Sequence, residues 1–504
     1  MTDWLQPAAI FSDDMVLQRG KPIPVWGKGK PGERVLASLD GRYVVVHAEY
    51  GGEWKLSLPA MPAGGPYTLT LRSGTESISY HRVYLGDVWL AGGQSNMELE
   101  LQNSENGKWE LANCQNPMLH FYNTPKVPYC GAELEKAERE SHWRVVGPDT
   151  AATMSAVAYY AGKKLTENLK DIHIGILDCY WGGTSVASWT SRETLAKTPE
   201  GQRRLAEYEA LIGDKTEARY DAELSAYNAA VQTWNDTCNT LKTENPQVGW
   251  DVINEKAGLF PWPPPPGKRA YQRPGNLYES MLRRVCPYAI CGFWYYQAEQ
   301  DEEHAEDYAA LLRGLIAQWR SDWCDVYANL PFYIVQLPMF GGGKTWPTLR
   351  AAQSRLSRET ANSGLVVLAD CGEEDNIHPV DKRTPGTRLA LFVLECFYGK
   401  PVQGRSPHCV EVVIPGNVKT AAARYIHTGG GLAKAAHCAG FEIKDDSGNW
   451  KAADAAVNED HVVIHTDTTI HGVRYAWYGW GASELHGGTG LAAEPFCFEN
   501  GEFV

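Results

Sequence analysis

The segment VWLAGGQSNM, residues 88–97, decides the fold. Its four apolar residues predict a buried strand, and the two glycines permit a tight turn before a helical segment. In open α/β sheets, ligands bind at the carboxyl end of such a strand. Ser95 would therefore lie at a helix N-terminus, among unpaired N–H groups. A serine there can serve as nucleophile and oxyanion donor, although helix capping is its commoner role.

Further apolar runs indicate more strands of the same sheet. They occupy residues 172–177, 290–296, 332–337 and 365–369. Continuous apolar strands are typical of a parallel sheet that is buried on both faces. Between two of these runs, six apolar residues have the spacing of one helix face: Tyr308, Leu311, Leu312, Leu315, Ile316 and Trp319. The pattern predicts a doubly wound α/β domain over residues 85–400.

The two ends of the chain have a different hydrophobic pattern. Residues 1–84 and 401–504 contain short alternating apolar runs bounded by turn residues, which predict an N-terminal β-sandwich and a C-terminal β domain. Within the α/β region, residues from about 195 to 270 are polar with helical spacing and predict a helical insertion. This insertion includes the stiff segment PWPPPPG, residues 261–267, which is either a connector or a rim over the active site.

Composition excludes several classes of function. The 504 residues carry a formal net charge of −14 without a concentrated basic run, so nucleic acid is not an expected partner. No apolar run is long enough to cross a membrane. The 12 cysteines lack metal-type spacing, and no H-E-x-x-H pattern occurs, so neither a metal nor a cofactor is expected. The start of the chain lacks a signal-peptide pattern, which favours a cytoplasmic protein over an exported one that has lost its signal. The sequence does not determine the oligomeric state.

A serine nucleophile needs a base, and the segment DNIHP, residues 375–379, offers one. Histidine is the side chain best suited to proton transfer near neutral pH. Asp375, three residues before His378, is in a position to hydrogen-bond the ring and stabilise its charged form. The serine segment is not G-x-S-x-G because Met97 occupies the last position, so the usual α/β-hydrolase elbow is not indicated.

Two more segments follow predicted strands. One is YWGGTSVASW, residues 180–189, in which Gly182 and Gly183 could present backbone N–H groups to an oxyanion. The other is WYYQAEQD, residues 294–301, in which Gln297 could add a side-chain amide. Taken separately, each segment is better explained as a tight turn with aromatic packing. Four such loops at strand ends, however, favour one shared site.

These four loops together resemble the sialate O-acetylesterase family of carbohydrate esterases, which are SGNH hydrolases. The matching pieces are residues 93–97, 181–184, 294–299, Asp375-x-x-His378-Pro379, Lys382, Gly386 and residues 388–390. Flanking segments at residues 15–18, 331–337, 349–353 and 473–477 also agree, so the resemblance covers nearly the whole chain.

The resemblance implies a role for each matching residue. Ser95 would attack the acetyl carbonyl, His378 would accept its proton and later activate water, and Asp375 would orient His378. The implied oxyanion hole consists of the Ser95 N–H, a backbone N–H of Gly182 or Gly183, and the Gln297 side chain. The expected supporting or substrate-contacting residues are Asn96, Glu299 and Trp181, and Glu299 is also an alternative partner for His378.

The chain departs from the family at Ala298, where the family usually has glycine. If that position requires a positive φ, the alanine would shift the oxyanion hole. Three functions are therefore expected, in decreasing order of support. The first is removal of O-acetyl groups from sialic acid, the second is deacetylation of xylan or another hemicellulose, and the third is glycan binding by a homologue that has lost catalysis.

Overall fold

The computed structural model describes residues 4–245, 248–323, 329–415 and 419–504. The first eight strands are β1 (Gln6–Pro7), β2 (Val16–Gln18), β3 (Ile23–Lys28), β4 (Arg34–Leu39), β5 (Arg42–His47), β6 (Glu53–Leu58), β7 (Gly64–Ser73) and β8 (Glu76–Gly93). Strands β1, β3 and β6 form one antiparallel sheet, while β5, β4, β7, β8 and β2 pair in a second. Every second side chain of β6 is buried, which is the burial pattern of a strand with one face on a core.

Strand β8 continues from the N-terminal sheet into the central sheet of the chain. Its first part pairs with β7 and β2, ending at the Gln18–Gly86 pair. From Asp87 onwards it pairs with strands of the central sheet. The boundary expected between residues 84 and 85 therefore falls inside one strand, and no linker separates the two sheets. A single rigid strand carries the Ser95 turn at its end.

The central sheet contains six parallel strands. Beyond β8 these are β9 (Asn116–Asn123), β11 (Ile174–Tyr180), β12 (Gly292–Tyr296), β13 (Phe332–Val335) and β14 (Ser363–Val366), with β10 (Arg144–Val146) antiparallel at one edge. The strand order is β10-β9-β11-β8-β12-β13-β14. The chain moves from β8 to β9 on one side and later to β12 on the other, so β8 lies at the point where the strand order reverses. Ligands of doubly wound sheets bind at such a point.

Helices cover both faces of this sheet, so the chain has the mixed α/β fold that was expected. They are α1 (Ser95–Glu98), α2 (Gly107–Asn113), α3 (Ala132–Glu140), α4 (Ala156–Asn168), α5 (Arg192–Leu195), α6 (Pro199–Ile212), α7 (Glu217–Glu244), α8 (Trp250–Ala257), α9 (Arg283–Val285), α10 (Ala305–Trp323), α11 (Trp346–Glu359) and α12 (Arg383–Cys396). Leu90 of β8 belongs to the same buried cluster as Leu312 of α10, whereas the neighbouring Trp89 shares the opposite cluster with Leu389 of α12. All six apolar residues that predicted a helix are buried in α10.

Helices α6, α7 and α8 lie within the region where a helical insertion was expected. The proline-rich segment that follows them is attached to α6 through a hydrogen bond between Tyr208 and Gly267 (3.3 Å). Lys215, just before α7, donates to the Pro266 carbonyl at 2.9 Å. The C-terminal end of this segment is therefore held by the folded protein.

The last part of the chain is built from strands. They are β15 (His408–Val413), β16 (Thr420–Ile426), β17 (Phe441–Lys444), β18 (Trp450–Ala452), β19 (Asp454–Asn458), β20 (His461–His465), β21 (Gly472–Tyr475), β22 (Phe496–Glu499) and β23 (Glu502–Phe503). They form a four-stranded and a five-stranded antiparallel sheet. Across the described part of the chain, none of the helices has the length and apolar character needed to traverse a bilayer.

Candidate active site

Ser95 stands at the carboxyl end of β8, where two glycines bring neighbouring strands close together. Gly93 has a φ of 135°, and a Cβ at this position would lie 2.0 Å from the Tyr296 carbonyl oxygen of β12. No other residue fits there without moving that strand. The Gln94 N–H then donates to the same carbonyl at 3.1 Å, which fixes the turn. Ser95, the first residue of α1, is half-buried beyond it.

His378 lies on the loop between β14 and α12, which is braced by its own polar side chains. The Asn376 side chain accepts from the His378 N–H at 3.0 Å and donates to the His378 carbonyl and to Glu373, each at 2.9 Å. Glu373 also accepts from the Val380 N–H at 2.8 Å. These bonds hold the loop that presents the imidazole to the sheet edge.

The structure brings Ser95 and His378 together across 283 positions of sequence. The Ser95 Oγ and the His378 Nε2 are 2.7 Å apart, which is hydrogen-bond distance. Desolvation by the surrounding protein, with a further contribution from the Lys382 charge, lowers the pKa of His378 to about 4. The imidazole is therefore neutral at pH 7, as a base that accepts the serine proton must be.

Asp375 does not make the predicted contact with His378. Its side chain is exposed, and no hydrogen bond joins it to the imidazole in the described ranges. Glu299, the alternative partner, is also separate from His378, because its two oxygens accept from the Asn96 side chain (2.5 Å) and the Ala298 N–H (3.1 Å). In this conformation the site is a serine–histidine pair, with Asp375 nearby on the histidine loop.

Asn96, which follows Ser95 in the chain, connects the serine to the loop that carries His378. It is fully buried, and its side-chain amide donates to Glu299 and to the Ile377 carbonyl (3.0 Å), next to His378. Its oxygen accepts from the Lys382 ammonium at 2.6 Å. Asn96 thus lies between the buried Glu299 carboxylate and the buried Lys382 ammonium and forms a hydrogen bond with each. Burial lowers the pKa of Lys382 to about 8, an effect that Glu299 opposes, while burial raises the pKa of Glu299.

The Gln297 side chain, which was predicted to bind the oxyanion, is hydrogen-bonded to protein partners in this structure. The amide is completely buried, and its nitrogen donates to Asp301 (2.5 Å), Gln94 (3.1 Å) and the Thr184 carbonyl (3.1 Å). Asp301 also accepts from the Val186 N–H at 2.9 Å. A buried amide forms all the hydrogen bonds within reach, and here those partners come from the neighbouring loops. Gln297 therefore holds these loops together.

Ala298 adopts a backbone conformation that any residue accepts. Its φ of 166° is extended, so glycine is not required at this position. The residue is buried, and its N–H donates to the Glu299 carboxylate. The departure from the family sequence therefore introduces no backbone strain, and it no longer argues for a loss of catalysis.

Gly182 approaches the serine closely, but its N–H is already occupied. A Cβ on Gly182 would lie 3.2 Å from the Ser95 Cβ. The Gly182 N–H donates a short hydrogen bond to the carboxylate of Glu98, which also pairs with Lys126 at 2.5 Å. Within the described part of the chain, the N–H groups of Ser95 and Gly183 make no hydrogen bond. These two donors are therefore unpaired, whereas the Gly182 N–H is occupied by Glu98.

Aromatic side chains border the same loop. Trp181 is stacked on Tyr271, with ring centroids 4.8 Å apart and an interplanar angle of 7°. The indole of Trp262, from the proline-rich segment, lies against the Cα of Gly183. The segment therefore contacts the Gly182–Gly183 loop, which favours the second of the two interpretations, a rim over the active site. Among the residues described by the structure, no three His, Cys, Asp or Glu side chains are grouped as metal ligands.

Comparison with known proteins finds similarity to carbohydrate acetylesterases. Residues 266–392 match the family model described as SASA, a carbohydrate esterase and sialic acid-specific acetylesterase. The sialate O-acetylesterase of Mus musculus is 24% identical over 447 residues, or 81% of this chain and 76% of the mouse protein. The sialate O-acetylesterase of Pongo abelii is 23% identical over 546 residues, or 97% and 91% of the two chains. The crystal structure of a carbohydrate acetylesterase from Xanthomonas citri is similar with a TM-score of 0.76 and 26% identity, covering 99% of this chain and 100% of that one.

The fold and these similarities define a carboxylic ester hydrolase. Within that class, the resemblance to sialate O-acetylesterases that the sequence predicted is confirmed.

Sequence reasoning missed two parts of the site. The sequence identified Lys382 only as part of the family motif. It did not predict the hydrogen bond from Lys382 to Asn96. Glu98 was not noticed, although an acidic residue one helical turn after the serine is a signal that could have identified it. A carboxylate at a helix N-terminus is attracted to unpaired N–H groups, and here the N–H belongs to Gly182 on the adjacent loop.

Proposed function

We propose that this protein hydrolyses O-acetyl esters on sugars and that O-acetylated sialic acid is its substrate. The observation that carries the proposal is the 2.7 Å contact between Ser95 Oγ and His378 Nε2 at the carboxyl edge of a parallel sheet. A serine nucleophile beside a neutral imidazole is the arrangement that acyl transfer requires. The similarity to sialate O-acetylesterases supports the choice of substrate.

The proposed reaction has two halves. Ser95 Oγ forms a bond to the acetyl carbonyl carbon while its proton passes to His378 Nε2. The tetrahedral intermediate collapses by breaking the bond to the sugar oxygen, and His378 returns the proton to that oxygen. Water then attacks the acetylated Ser95, giving its proton to His378, and the collapse of the second intermediate releases acetate and restores the serine hydroxyl.

The oxyanion is stabilised by backbone donors in this proposal. Ser95 and Gly183 supply free N–H groups, and Gly182 supplies another after Glu98 leaves it. The Glu98 carboxylate and the oxyanion are both negative and compete for the same donor, so they do not occupy it together.

The proposed architecture is an SGNH-type catalytic domain over residues 85–400, flanked by β domains over residues 1–84 and 401–504. The reversal of strand order at β8 supports the first part, and the mainly antiparallel strand pairing at each end of the chain supports the second. Limited proteolysis that released the last hundred residues as a folded fragment would support the division. A chain that unfolded cooperatively without such a fragment would contradict it.

Two features of the site favour different sugars. Lys126, beside Glu98, offers a cation for the carboxylate of sialic acid. Trp262, 45% exposed over Gly183, instead favours the second candidate, an acetylated neutral polysaccharide such as xylan. Acetate release from O-acetylated sialic acid and from acetylated xylan, measured side by side, distinguishes them. We expect acetate to be released faster from O-acetylated sialic acid. Faster release of acetate from xylan would support the second candidate function instead.

Activity is expected to persist well below neutral pH. Because the pKa of His378 is lowered to about 4, the imidazole remains neutral, and able to accept a proton, until the pH approaches that value. The kcat/KM for 4-nitrophenyl acetate should stay level from pH 7 to about pH 5 and then fall with a midpoint near pH 4. A midpoint near the ordinary histidine pKa of about 6.5 would contradict this environment for His378.

Asp375→Asn is expected to lower kcat by about tenfold or more. We assign Asp375 as the carboxylate that bonds His378 Nδ1 in the substrate complex, because Glu373 and Glu299 are already engaged elsewhere. Catalytic hydrogen bonds often tighten only when substrate is bound. Steady-state kinetics with 4-nitrophenyl acetate measure the effect, with Glu374→Gln, an exposed neighbour, as the control. Unchanged kcat in Asp375→Asn would mean that the enzyme works with the serine–histidine pair alone.

A further inference from the structure

The proline-rich segment, residues 261–267, is held against the loop that carries Gly182 and Gly183. A Cβ on Gly183 would meet three ring atoms of Trp262, at 2.2, 2.9 and 3.2 Å. The six-membered ring of the indole therefore packs directly on the Gly183 backbone. A few residues later, Gln272 donates to the Gly183 carbonyl at 2.9 Å, so the chain is fastened to the same loop a second time.

The segment is equally well fixed on its other side. Tyr208 of α6 and Lys215 bond to Gly267 and Pro266, and Phe260 packs edge-on against Trp234 of α7 at 5.2 Å. Proline residues limit the remaining backbone freedom. Trp262 is thus a rigid aromatic side chain, and an aromatic anchor that is already ordered loses little entropy when it binds a ligand.

Trp262 nevertheless remains 45% exposed, and the adjacent Leu259 and Phe260 are 80% and 41% exposed. Adjacent apolar side chains that stay exposed beside a site are typical of binding surfaces. The backbone from Gly182 to Gly183 limits the distance between the indole and the Ser95 side chain to at most about 12 Å. That limit is comparable to the length of a disaccharide, so the indole is within reach of the acetylated ring or the next one when the acetyl group is at Ser95.

We propose that Trp262 is a carbohydrate-binding residue on which a pyranose ring of the acetylated substrate stacks, and that the helical insertion exists to hold it there. This inference rests on the proposed function, since it assigns a binding position to the same sugar ester. The C–H groups on one face of a pyranose are apolar and slightly positive, which suits the negative face of an indole. A small ester without a ring, such as ethyl acetate, has nothing that can stack on the indole when its acetyl group is at Ser95.

The test compares Trp262→Ala, Trp262→Phe and the wild-type enzyme on two substrates. With O-acetylated sugar esters, from either sialic acid or xylo-oligosaccharides, Trp262→Ala should raise KM by about tenfold, and Trp262→Phe should restore most of the affinity. Any loss of kcat/KM in Trp262→Ala with ethyl acetate, which has no ring, should be at least about fivefold smaller than the loss with the sugar esters. Trp4→Ala removes a tryptophan of similar exposure, 52%, from the N-terminal region and should change neither substrate.

Three other outcomes would each refute a different part of the proposal. An unchanged KM for sugar esters in Trp262→Ala would refute the stacking position while leaving the esterase assignment intact. Equal losses on both substrates would show that Trp262 only supports the Gly183 loop. A wild-type enzyme that hydrolyses 4-nitrophenyl acetate but no sugar ester would refute the proposed substrate class, and the binding position with it.

Discussion

Ser95→Ala should reduce acetate release by at least about 10⁴-fold with both 4-nitrophenyl acetate and O-acetylated sugars. The substitution removes the oxygen that attacks the carbonyl, and no other hydroxyl is placed on His378 Nε2 in the described structure. Ser95 is half-buried at a helix start, and its side chain makes no other hydrogen bond there. The fold should therefore be retained, as checked by circular dichroism and thermal unfolding.

Ser77→Ala, which removes an exposed hydroxyl from the N-terminal part of β8, is the matched control and should be fully active. Turnover by folded Ser95→Ala within tenfold of wild type would refute the assignment of the nucleophile.

His378→Ala should lower kcat by about 10³-fold or more while leaving KM for the same substrates nearly unchanged. The imidazole acts only as the proton carrier, so its loss affects the transition state more than ground-state binding. The loop should persist, because Asn376 and Glu373 hold its backbone independently of the ring. Steady-state kinetics at pH 7 measure both constants.

His437→Ala is the control for this variant, because His437 lies in the C-terminal region with 73% of its side chain exposed. A loss confined to KM in His378→Ala would contradict the role of a base and would leave His378 as a substrate-binding residue.

The sequence predicted the part of the fold that depends on hydrophobic pattern. Apolar runs identified β8, β11, β12, β13 and β14, and the rule that parallel strands end at one edge placed residues 95 and 378 together. Strand β9 was missed, since polar residues interrupt its sequence NPMLHFYN, so that no continuous apolar run marks it. The passage of β8 from one sheet into the next was also missed, because an unbroken strand has no linker for composition to reveal.

Side-chain partners were predicted less well than strand positions. Gln297 lies in the loop after β12, as predicted, but its amide nitrogen donates to Asp301, Gln94 and the Thr184 carbonyl. Which of several partners a polar side chain chooses depends on distances of an ångström or less, and these are set by packing rather than by local sequence. The same limit applies to Glu98, whose partner Gly182 is 84 residues away.

The most direct test is to label the enzyme with a fluorophosphonate, which reacts with activated serine hydroxyls, and to map the modified peptide by mass spectrometry. We expect one fast modification at Ser95, and its loss when His378 is replaced by alanine. Rapid labelling of a different serine, or labelling of Ser95 that persists without His378, would contradict the claim that these two side chains form one catalytic pair.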